Sequence, residues 1–161
     1  MTKKMNISFS PPDISEAEIA EVVEVLKSGW ITTGPRTKLF EKKIAEYVGT
    51  EKSCCLSSQT ACAEMALRVL GVGAGDEVIT SCRTFIASAG AAVMCGGTPI
   101  VVDVDLNSQN VSPEAVERAI TPRTKAIVAV HHAGFPCDMD ALLAIAKAHN
   151  LFIVEDCAQS H

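Results

Sequence analysis

Beyond residue 52 the sequence alternates short β-branched runs with stretches of helical spacing, and this alternation constrains the fold more than any other feature. Strand-like runs are rich in valine, isoleucine and threonine. Helical stretches such as Met139 to His149 separate them. This order predicts an α/β fold with a largely parallel sheet and helices on both faces. Strands are predicted at Ser53 to Leu56, Glu77 to Thr80, Ile100 to Asp103, Lys125 to Val130 and Leu151 to Glu155.

The first fifty residues follow a different pattern. Ser15 and Glu18 form a capping box, and the apolar residues behind them recur at helical spacing until Ser28-Gly29. Trp30 to Pro35 cannot continue that helix, so an extended connector is predicted before a second helix from about Lys38 to Val48. We therefore expect an N-terminal helical segment with a connector at residues 1–50 and an α/β domain at residues 51–161.

Composition and charge exclude several classes of partner. The chain has 161 residues and a formal net charge of −5, so it carries no basic field able to hold nucleic acid. Residues 1–10 lack the apolar core of a secretory signal, and Phe85 to Cys95 is shorter than the roughly 20 residues that cross a bilayer. Seven cysteines without a CxxC motif indicate reduced thiols. We expect a cytoplasmic protein that binds neither nucleic acid nor membrane.

One helix start is a candidate phosphate site. The run Ser57 to Ala61 follows a predicted strand and opens a helix, where free N–H groups and the helix dipole favour an anion. Ordinary capping of the helix by Ser58 or Thr60 explains the same residues equally well. The glycine-rich run Leu70 to Asp76 lies after a helix and before a strand, which is the wrong order for a dinucleotide-binding loop.

Carboxylates and one aromatic ring at strand ends are further candidates. Glu155 and Asp156 end the last strand, where a carboxylate is able to pair with a ligand cation, hold a metal or bond a protonated ring nitrogen. From the residues alone, magnesium at this end, or at Asp103 and Asp105, is an open alternative. Phe85 is ordinary core by itself and becomes a stacking plate only in a ligand cleft.

The histidines favour no metal site. His131 and His132 are adjacent at a strand end and point to opposite faces, so they do not readily ligate one ion. We expect one of them in a pocket and the other packed. Cys157 and His161 are spaced i, i+4, but no second pair of ligands accompanies them. No metal is predicted.

Taken in order, these segments resemble the nucleotide-sugar aminotransferases of the DegT/DnrJ/StrS type, which depend on pyridoxal 5'-phosphate (PLP). The likeness covers nearly the whole chain, and several motifs at family spacing are more specific than any one of them. The matching runs are Ser28 to Pro35, Ser57 to Ala61, Gly75 to Ile79 with Thr84-Phe85, Pro99 to Asp105, Thr121 to Ile127, His131 to Asp138 and Glu155 to His161.

The resemblance implies PLP as the cofactor and a role for each matching residue. Asp156 would bind the pyridinium nitrogen and keep it protonated, so that the ring can accept electrons. Gln159 would contact the 3-hydroxyl oxygen of the ring, and Phe85 would stack on it. The turn at Gln59 and Thr60 would hold the phosphate.

The resemblance also implies the reaction. An amino group would move from an amino acid, with glutamate as the expected donor, to a keto-sugar linked to a nucleotide. Trp30, Thr32 and Thr33 would border the sugar site, and His131 would lie near the cofactor. Because such enzymes complete each active site across a dimer, a homodimer is expected.

One departure from the family pattern concerns the lysine that forms the Schiff base. In the family this lysine follows the Glu-Asp-x-Ala-Gln segment by a further stretch of chain, which would place it beyond His161. None of the nine lysines present occupies that position. The small C-terminal domain is also missing. We therefore expect residues 51–161 to be an incomplete large domain of fold-type I, without a catalytic residue and inactive by itself.

Three other functions stay open. A sugar dehydratase of the same family carries another base at the lysine position. A non-catalytic module that binds PLP or a related phosphate is expected if the natural chain ends at His161. An unrelated nucleotide-binding α/β domain with magnesium fits least well, because the glycine-rich loop lies on the wrong side of its helix.

Overall fold

The computed structural model describes residues 11–160. The predictions for residues 1–10, and the spacing of Cys157 and His161, involve residues outside this range. The chain divides into two compact units, the first ending at Cys55 and the second beginning at Leu56. Each unit is described by itself below.

The first unit contains two helices. Helix α1 (Glu16–Ser28) begins with the predicted capping box, in which Ser15 and Glu18 bond each other's backbone, and ends at Gly29 with a φ of 69°. Helix α2 (Pro35–Val48) begins three residues earlier than expected, because proline at the first helical position is compatible with helix geometry. Both helices end at a left-handed glycine.

The connector between the two helices is bent rather than extended. The indole Nε1 of Trp30 donates to the carbonyl of Thr33 at 2.9 Å and closes the bend. A Cβ at Gly34 would overlap the Trp30 ring, so this position accommodates only glycine while the ring lies there. The two threonines therefore lie in a compact turn.

The predicted strand from Ser53 to Leu56 does not form. The amide of Cys55 donates to the Glu41 carboxylate at 2.8 Å, and the Ser53 hydroxyl donates to the Glu41 carbonyl at 2.7 Å. Because the Cys55 amide donates to a side chain of α2, it does not donate to a β-ladder. The prediction of a fifth strand is therefore wrong for this structure.

The second unit is an α/β layer with four strands in the described residues. All four strands were predicted, with ends that differ by at most two residues, which is usual for boundaries read from sequence. In chain order the elements are α3 (Gln59–Val69), β1 (Glu77–Ser81), α4 (Ala87–Met94), β2 (Thr98–Val102), α5 (Pro113–Ala119), β3 (Thr124–Val130), α6 (Met139–His149) and β4 (Phe152–Asp156).

The sheet has the order β2-β1-β3-β4, and all neighbouring strands are parallel. Strand β3 is almost wholly buried, as expected of an interior parallel strand covered on both faces. Val78 and Val128 face a core shared with α3 and α4, whereas Ile79 and Ile127 face a core shared with α5 and α6. The predicted α/β fold with helices on both faces is confirmed.

The two cores hold the sheet in place. Leu67 and Leu142 anchor a helix on opposite faces, and both side chains are fully buried. Each such side chain contributes about 1.5 to 3 kcal/mol by leaving water. All four strands point their carboxyl ends to the same edge of this sheet.

Within residues 11–160, no helix is both long and apolar enough to cross a bilayer.

Candidate active site

A cleft of about 410 Å³ opens at the carboxyl edge of the sheet, where α/β proteins commonly bind ligands. Strand β3 and strand β4 end in it, and the segment after β1 forms a further wall. All of its lining residues belong to the second unit. They are Gln59, Thr60, Arg83, Thr84, Phe85, Val130, His131, His132, Asp156, Ala158 and Gln159. The five residues predicted to bind the cofactor are all among them.

Asp156 is a buried carboxylate at the end of β4, only 6% exposed. One oxygen, Oδ2, accepts from the Ser88 hydroxyl of α4 at 3.0 Å, and Oδ1 accepts from the Ala158 amide at 3.2 Å. Among residues 11–160, no side-chain nitrogen of lysine, arginine or histidine lies within 4.0 Å of it. A buried carboxylate without a cation is costly unless a ligand supplies the charge.

Gln159 is oriented by the turn that follows β3. Its Oε1 accepts from the Ala133 amide at 2.7 Å, so its amide nitrogen is left to donate. Gly134 has a φ of 80°, and a Cβ there would lie 2.8 Å from the Gln159 carbonyl oxygen. Both the conformation and the close approach therefore require glycine.

Asn110 braces the same turn from the loop after β2. Its side chain is 2% exposed. The amide nitrogen donates to the carbonyls of Phe135 and Pro136 at 2.8 and 2.9 Å, and its oxygen accepts from the His132 amide at 3.0 Å. Three hydrogen bonds of one buried side chain thus fix the wall that carries His132.

His131 lines the cleft, but both of its ring nitrogens have partners. Nδ1 accepts from the Cys137 amide at 3.1 Å, which places the proton of a neutral ring on Nε2, and Nε2 lies 3.0 Å from Glu155 Oε2. Donor atoms of His131, Glu155 and Cys157 lie within 4.8 Å of one another. This tautomer does not suit a metal there, because a ligating nitrogen must be unprotonated.

Cys137 is a neutral thiol in the packing beneath His131. Its Sγ donates to the Val130 carbonyl at 3.2 Å. Burial raises the pKa of this thiol to about 11. Since a thiolate is the reactive form, Cys137 is structural rather than nucleophilic.

The helix start at α3 forms the opposite wall. Ser58 is the N-cap, and its hydroxyl accepts from the Ala61 amide at 3.1 Å. Capping by Ser58 accounts for one amide, while Gln59 and Thr60 occupy the first turn, where the amides have no partner within the helix. The positive end of the α3 dipole therefore faces the cleft.

Phe85 is 72% exposed and belongs to the cleft rather than the core. Thr84 and Ser88 lie next to it, with their hydroxyl oxygens 2.9 Å apart. Because the Ser88 hydroxyl donates to Asp156, these two hydroxyls tie the Phe85 segment to the buried carboxylate.

Three residues predicted to bind substrate lie in the first unit. Trp30 and Thr32 line a cavity of about 420 Å³ formed by the connector and the adjoining helix ends. Thr33 supplies the carbonyl that accepts from the Trp30 indole. The structure thus groups these three residues in one bend.

Comparison with known proteins identifies the family. The sequence model of the DegT/DnrJ/EryC1/StrS aminotransferase family matches residues 12–161. The chain belongs to this family. The resemblance noted in the sequence is therefore confirmed. Among its relatives, the spore coat polysaccharide biosynthesis protein SpsC of Bacillus subtilis (strain 168) is 46% identical over 162 residues, which cover 99% of this chain and 42% of that protein.

Solved structures of aminotransferases share the fold. An aminotransferase from Psychrobacter cryohalolentis is 43% identical with a TM-score of 0.91, over 96% of this chain and 40% of that one. A Streptococcus pneumoniae protein described as a sugar aminotransferase, in its PMP form, is 44% identical with a TM-score of 0.91, over 97% of this chain and 43% of that one. The chain spans less than half the length of these relatives.

The family motifs did not mark Arg83 or Asn110, which both belong to the site. Arg83 directly precedes the matching Thr84-Phe85 pair and is among the residues that line the cleft. Asn110 stands outside the quoted motifs and offers no local signal, because its role depends on a turn about 25 residues away. For Arg83, the only signal in the sequence is its position directly before the Thr84-Phe85 pair.

Proposed function

We propose that this chain is the N-terminal part of a PLP-dependent aminotransferase that moves an amino group from an amino acid, with glutamate as donor, to a nucleotide-linked keto-sugar. The observation that carries the proposal is Asp156, a buried carboxylate in a cleft without a cation of the chain's own among residues 11–160. A protonated pyridine nitrogen supplies the missing charge.

The residues of the cleft fit the cofactor. Asp156 would hold the ring nitrogen, Phe85 would cover one ring face, and Gln159 would donate to the 3-hydroxyl oxygen, since its other end is already bonded to Ala133. Gln59 and Thr60 would bind the phosphate at the positive end of α3. When bound, PLP supplies an electron sink for the amine-bearing carbon.

The chain's own groups then bind and orient. The Ser88 hydroxyl and the Ala158 amide donate to the two oxygens of the Asp156 carboxylate and hold it in the cleft. Substrate contacts are proposed for Trp30, Thr32 and Thr33. They are also proposed for His131. Its ring nitrogens already bond Cys137 and Glu155, so a substrate would contact its other atoms.

The Schiff-base lysine is proposed to lie downstream of His161. Arginine is the only cationic side chain besides histidine among the described lining residues, and none of them is a lysine. Lys125 lies at the other edge of the sheet, bonded to Gly71 and Asp76. The 161-residue chain by itself is therefore expected to bind PLP without turning over substrate.

A homodimer in the cytoplasm is part of the proposal. None of the cysteines in residues 11–160 forms a disulfide. Reduced thiols persist in reducing compartments, which supports a cytoplasmic location. Two copies are expected to complete the active site together in the full-length protein.

The proposal is tested with the full-length protein, PLP and L-glutamate. Asp156→Asn keeps the shape of the side chain and one accepting oxygen but removes the charge, so we expect amine transfer to fall about 100-fold or more while PLP is still retained by its phosphate. Asp140→Asn on α6 is the matched control and should behave like the wild type.

Transfer at the wild-type rate by Asp156→Asn would contradict the proposal. Amine transfer is distinguished from dehydration by supplying the full-length wild-type protein with keto-sugar nucleotides. The sugar product carries nitrogen only if amine transfer occurs. Ordinary turnover by the 161-residue chain alone would show that the lysine is not needed downstream.

A further inference from the structure

Arg83 is a cation in the cleft that no carboxylate of residues 11–160 neutralises. It follows β1 directly and lines the cleft together with Phe85 and Asp156. Within residues 11–160, no carboxylate oxygen lies within 4.0 Å of its guanidinium. By contrast, the guanidinium groups of Arg68 and Arg123 each bond a glutamate of this chain. Arg83 thus keeps its full positive charge for something else.

The partner that Arg83 does have is a neutral amide. Its Nη1 donates to Oε1 of Gln109. Gln109 is itself fixed: its Nε2 donates to the Leu106 carbonyl at 2.6 Å, and its backbone amide donates to the Asp105 carbonyl at 2.9 Å. A neutral partner orients the guanidinium without cancelling its charge.

The Gln109 backbone is strained in a way that supports this placement. Its φ is 62°, a left-handed conformation that residues with a side chain rarely adopt. The carboxylate of Asp105 holds the loop by accepting from the amides of Asn107 and Ser108 at 3.0 and 2.8 Å. The loop therefore presents the Gln109 amide to Arg83 and keeps it there.

One edge of the guanidinium stays available. Nη1 is used by Gln109, whereas Nε and Nη2 have no hydrogen-bond partner in the described part of the chain. These two N–H groups form the planar fork that binds a carboxylate with two parallel hydrogen bonds. The ligand class that this geometry fits is an oxyanion entering the cleft.

We propose that Arg83 binds the carboxylate of the amino donor and that Gln109 is its positioning residue. The inference rests on the proposed function, because every amino-acid donor carries a carboxylate next to the amine that it gives up. A phosphate of the nucleotide-linked acceptor shares the oxyanion chemistry. The donor is favoured because Arg83 lines the same small cleft as Asp156, close to where the amine must react.

The test uses the full-length protein loaded with PLP. Arg83→Gln, Arg83→Lys and the control Arg118→Gln, an exposed arginine on α5, are mixed with L-glutamate in single turnovers, and conversion of the cofactor absorbance is followed. We expect the half-saturating glutamate concentration to rise about 10- to 100-fold in Arg83→Gln, as for loss of a charged hydrogen-bonded pair. Arg83→Lys should recover only part of this loss, and Arg118→Gln should match the wild type.

Binding measurements give a second readout that is independent of turnover. The Kd of glutarate, which carries carboxylates but no amine, should rise by a similar factor in Arg83→Gln, while the Kd of inorganic pyrophosphate should not change. Gln109→Glu, which places a competing carboxylate beside the guanidinium, should also weaken glutarate.

The outcomes separate this inference from the proposed function. If wild-type protein neither retains PLP nor reacts with glutamate, the proposed function fails and Arg83 has no donor to bind. If wild-type protein reacts and Arg83→Gln is unchanged toward glutamate and glutarate, the inference alone is overturned. If Arg83→Gln weakens pyrophosphate only, the guanidinium serves the phosphate of the acceptor and the donor assignment is wrong.

Discussion

The two edges of the sheet carry charges of both signs, but they use them differently. At the amino edge, Glu77 is buried at the start of β1 and bonds the Arg123 guanidinium and the Thr121 hydroxyl. Nearby, Asp76 accepts from Lys125 at 3.1 Å. Each of these charged groups is paired with an opposite charge of the chain, and we call an edge with such pairing closed.

We call the carboxyl edge open, because two of its charged side chains have no opposite charge among residues 11–160. Asp156 has hydrogen bonds from Ser88 and Ala158 but no cation, and Arg83 has Gln109 but no carboxylate, within the described residues. The charged groups of the amino edge therefore pair with each other and stabilise the fold, whereas Asp156 and Arg83 at the carboxyl edge are available to bind ligands. Both edges belong to one sheet, so the distinction comes from pairing and not from the kind of residue.

The largest expected effect comes from exchanging a charge for an amide at each edge. In the full-length protein, Asp156→Asn should reduce amine transfer about 100-fold or more with little change in Tm. Glu77→Gln should lower Tm by several degrees and leave transfer unchanged, because its partner Arg123 lies away from the cleft. Activity assays and thermal unfolding of both variants are compared. The comparison breaks if Glu77→Gln reduces transfer at a temperature where it is folded.

The neutral hydrogen bonds of the carboxyl edge can be tested through Asn110. Asn110→Ala leaves the His132 amide and two carbonyls without their Asn110 partner, and we expect a loss of about 2 to 3 kcal/mol in chemical unfolding. Asn107→Ala in the same loop is the exposed control and should stay within about 0.5 kcal/mol.

Salt sharpens the result for Asn110. Because its partners are uncharged, the loss should not depend on ionic strength, whereas the loss in Glu77→Gln should shrink as salt rises. Equal salt dependence of both variants would remove the distinction between a closed and an open edge.

Gly134→Ala tests how tightly the cleft wall is built. The left-handed φ and the approach of the Gln159 carbonyl should together cost about 1 to 3 kcal/mol. Gly90→Ala, inside α4 with nothing near its Cβ position, is the matched control and should stabilise by about 0.5 to 1 kcal/mol. Chemical unfolding measures both. A neutral Gly134→Ala would show that the wall yields to accommodate a side chain.

The smallest expected effect is in acid. The Thr121 hydroxyl and then the Arg123 guanidinium hold the pKa of the Glu77 carboxyl below its ordinary value of 4.5. The unfolded chain therefore takes up this proton first, and the stabilisation, present above about pH 4.5, is lost as pH falls through the lower folded value. Glu77→Gln should flatten this acid slope in unfolding measured from pH 6 downward. An unchanged slope would assign acid sensitivity to other carboxylates.

Local signals predicted the helices well where the cap is part of the sequence. Helix α6 runs from Met139 to His149 and ends at a left-handed Asn150, as its periodicity and its last residue indicated. Helix α5 likewise has its signal in the sequence, since Ser112 caps it and proline occupies its first position. The strand expected at Ser53 does not form, and the Cys55 amide donates to the Glu41 carboxylate instead; strand propensity carries no information about that competing acceptor.

The residues that the family resemblance predicted to bind the cofactor lie close together in the structure. Gln59, Phe85, Asp156 and Gln159 are separated by up to a hundred positions and line one cleft. Resemblance did not indicate Asn110, because a bracing side chain leaves no mark near the residues that it positions.

The sequence by itself determined the alternation of strands and helices, the capped helix ends, the net negative charge and the family, because each is carried by local pattern or by motifs in order. Only the tertiary structure decided which charges are paired. Pairing depends on distances between residues far apart in the chain, such as Glu77 and Arg123 or Arg83 and Gln109, and a carboxylate has the same composition whether a cation stands beside it or not.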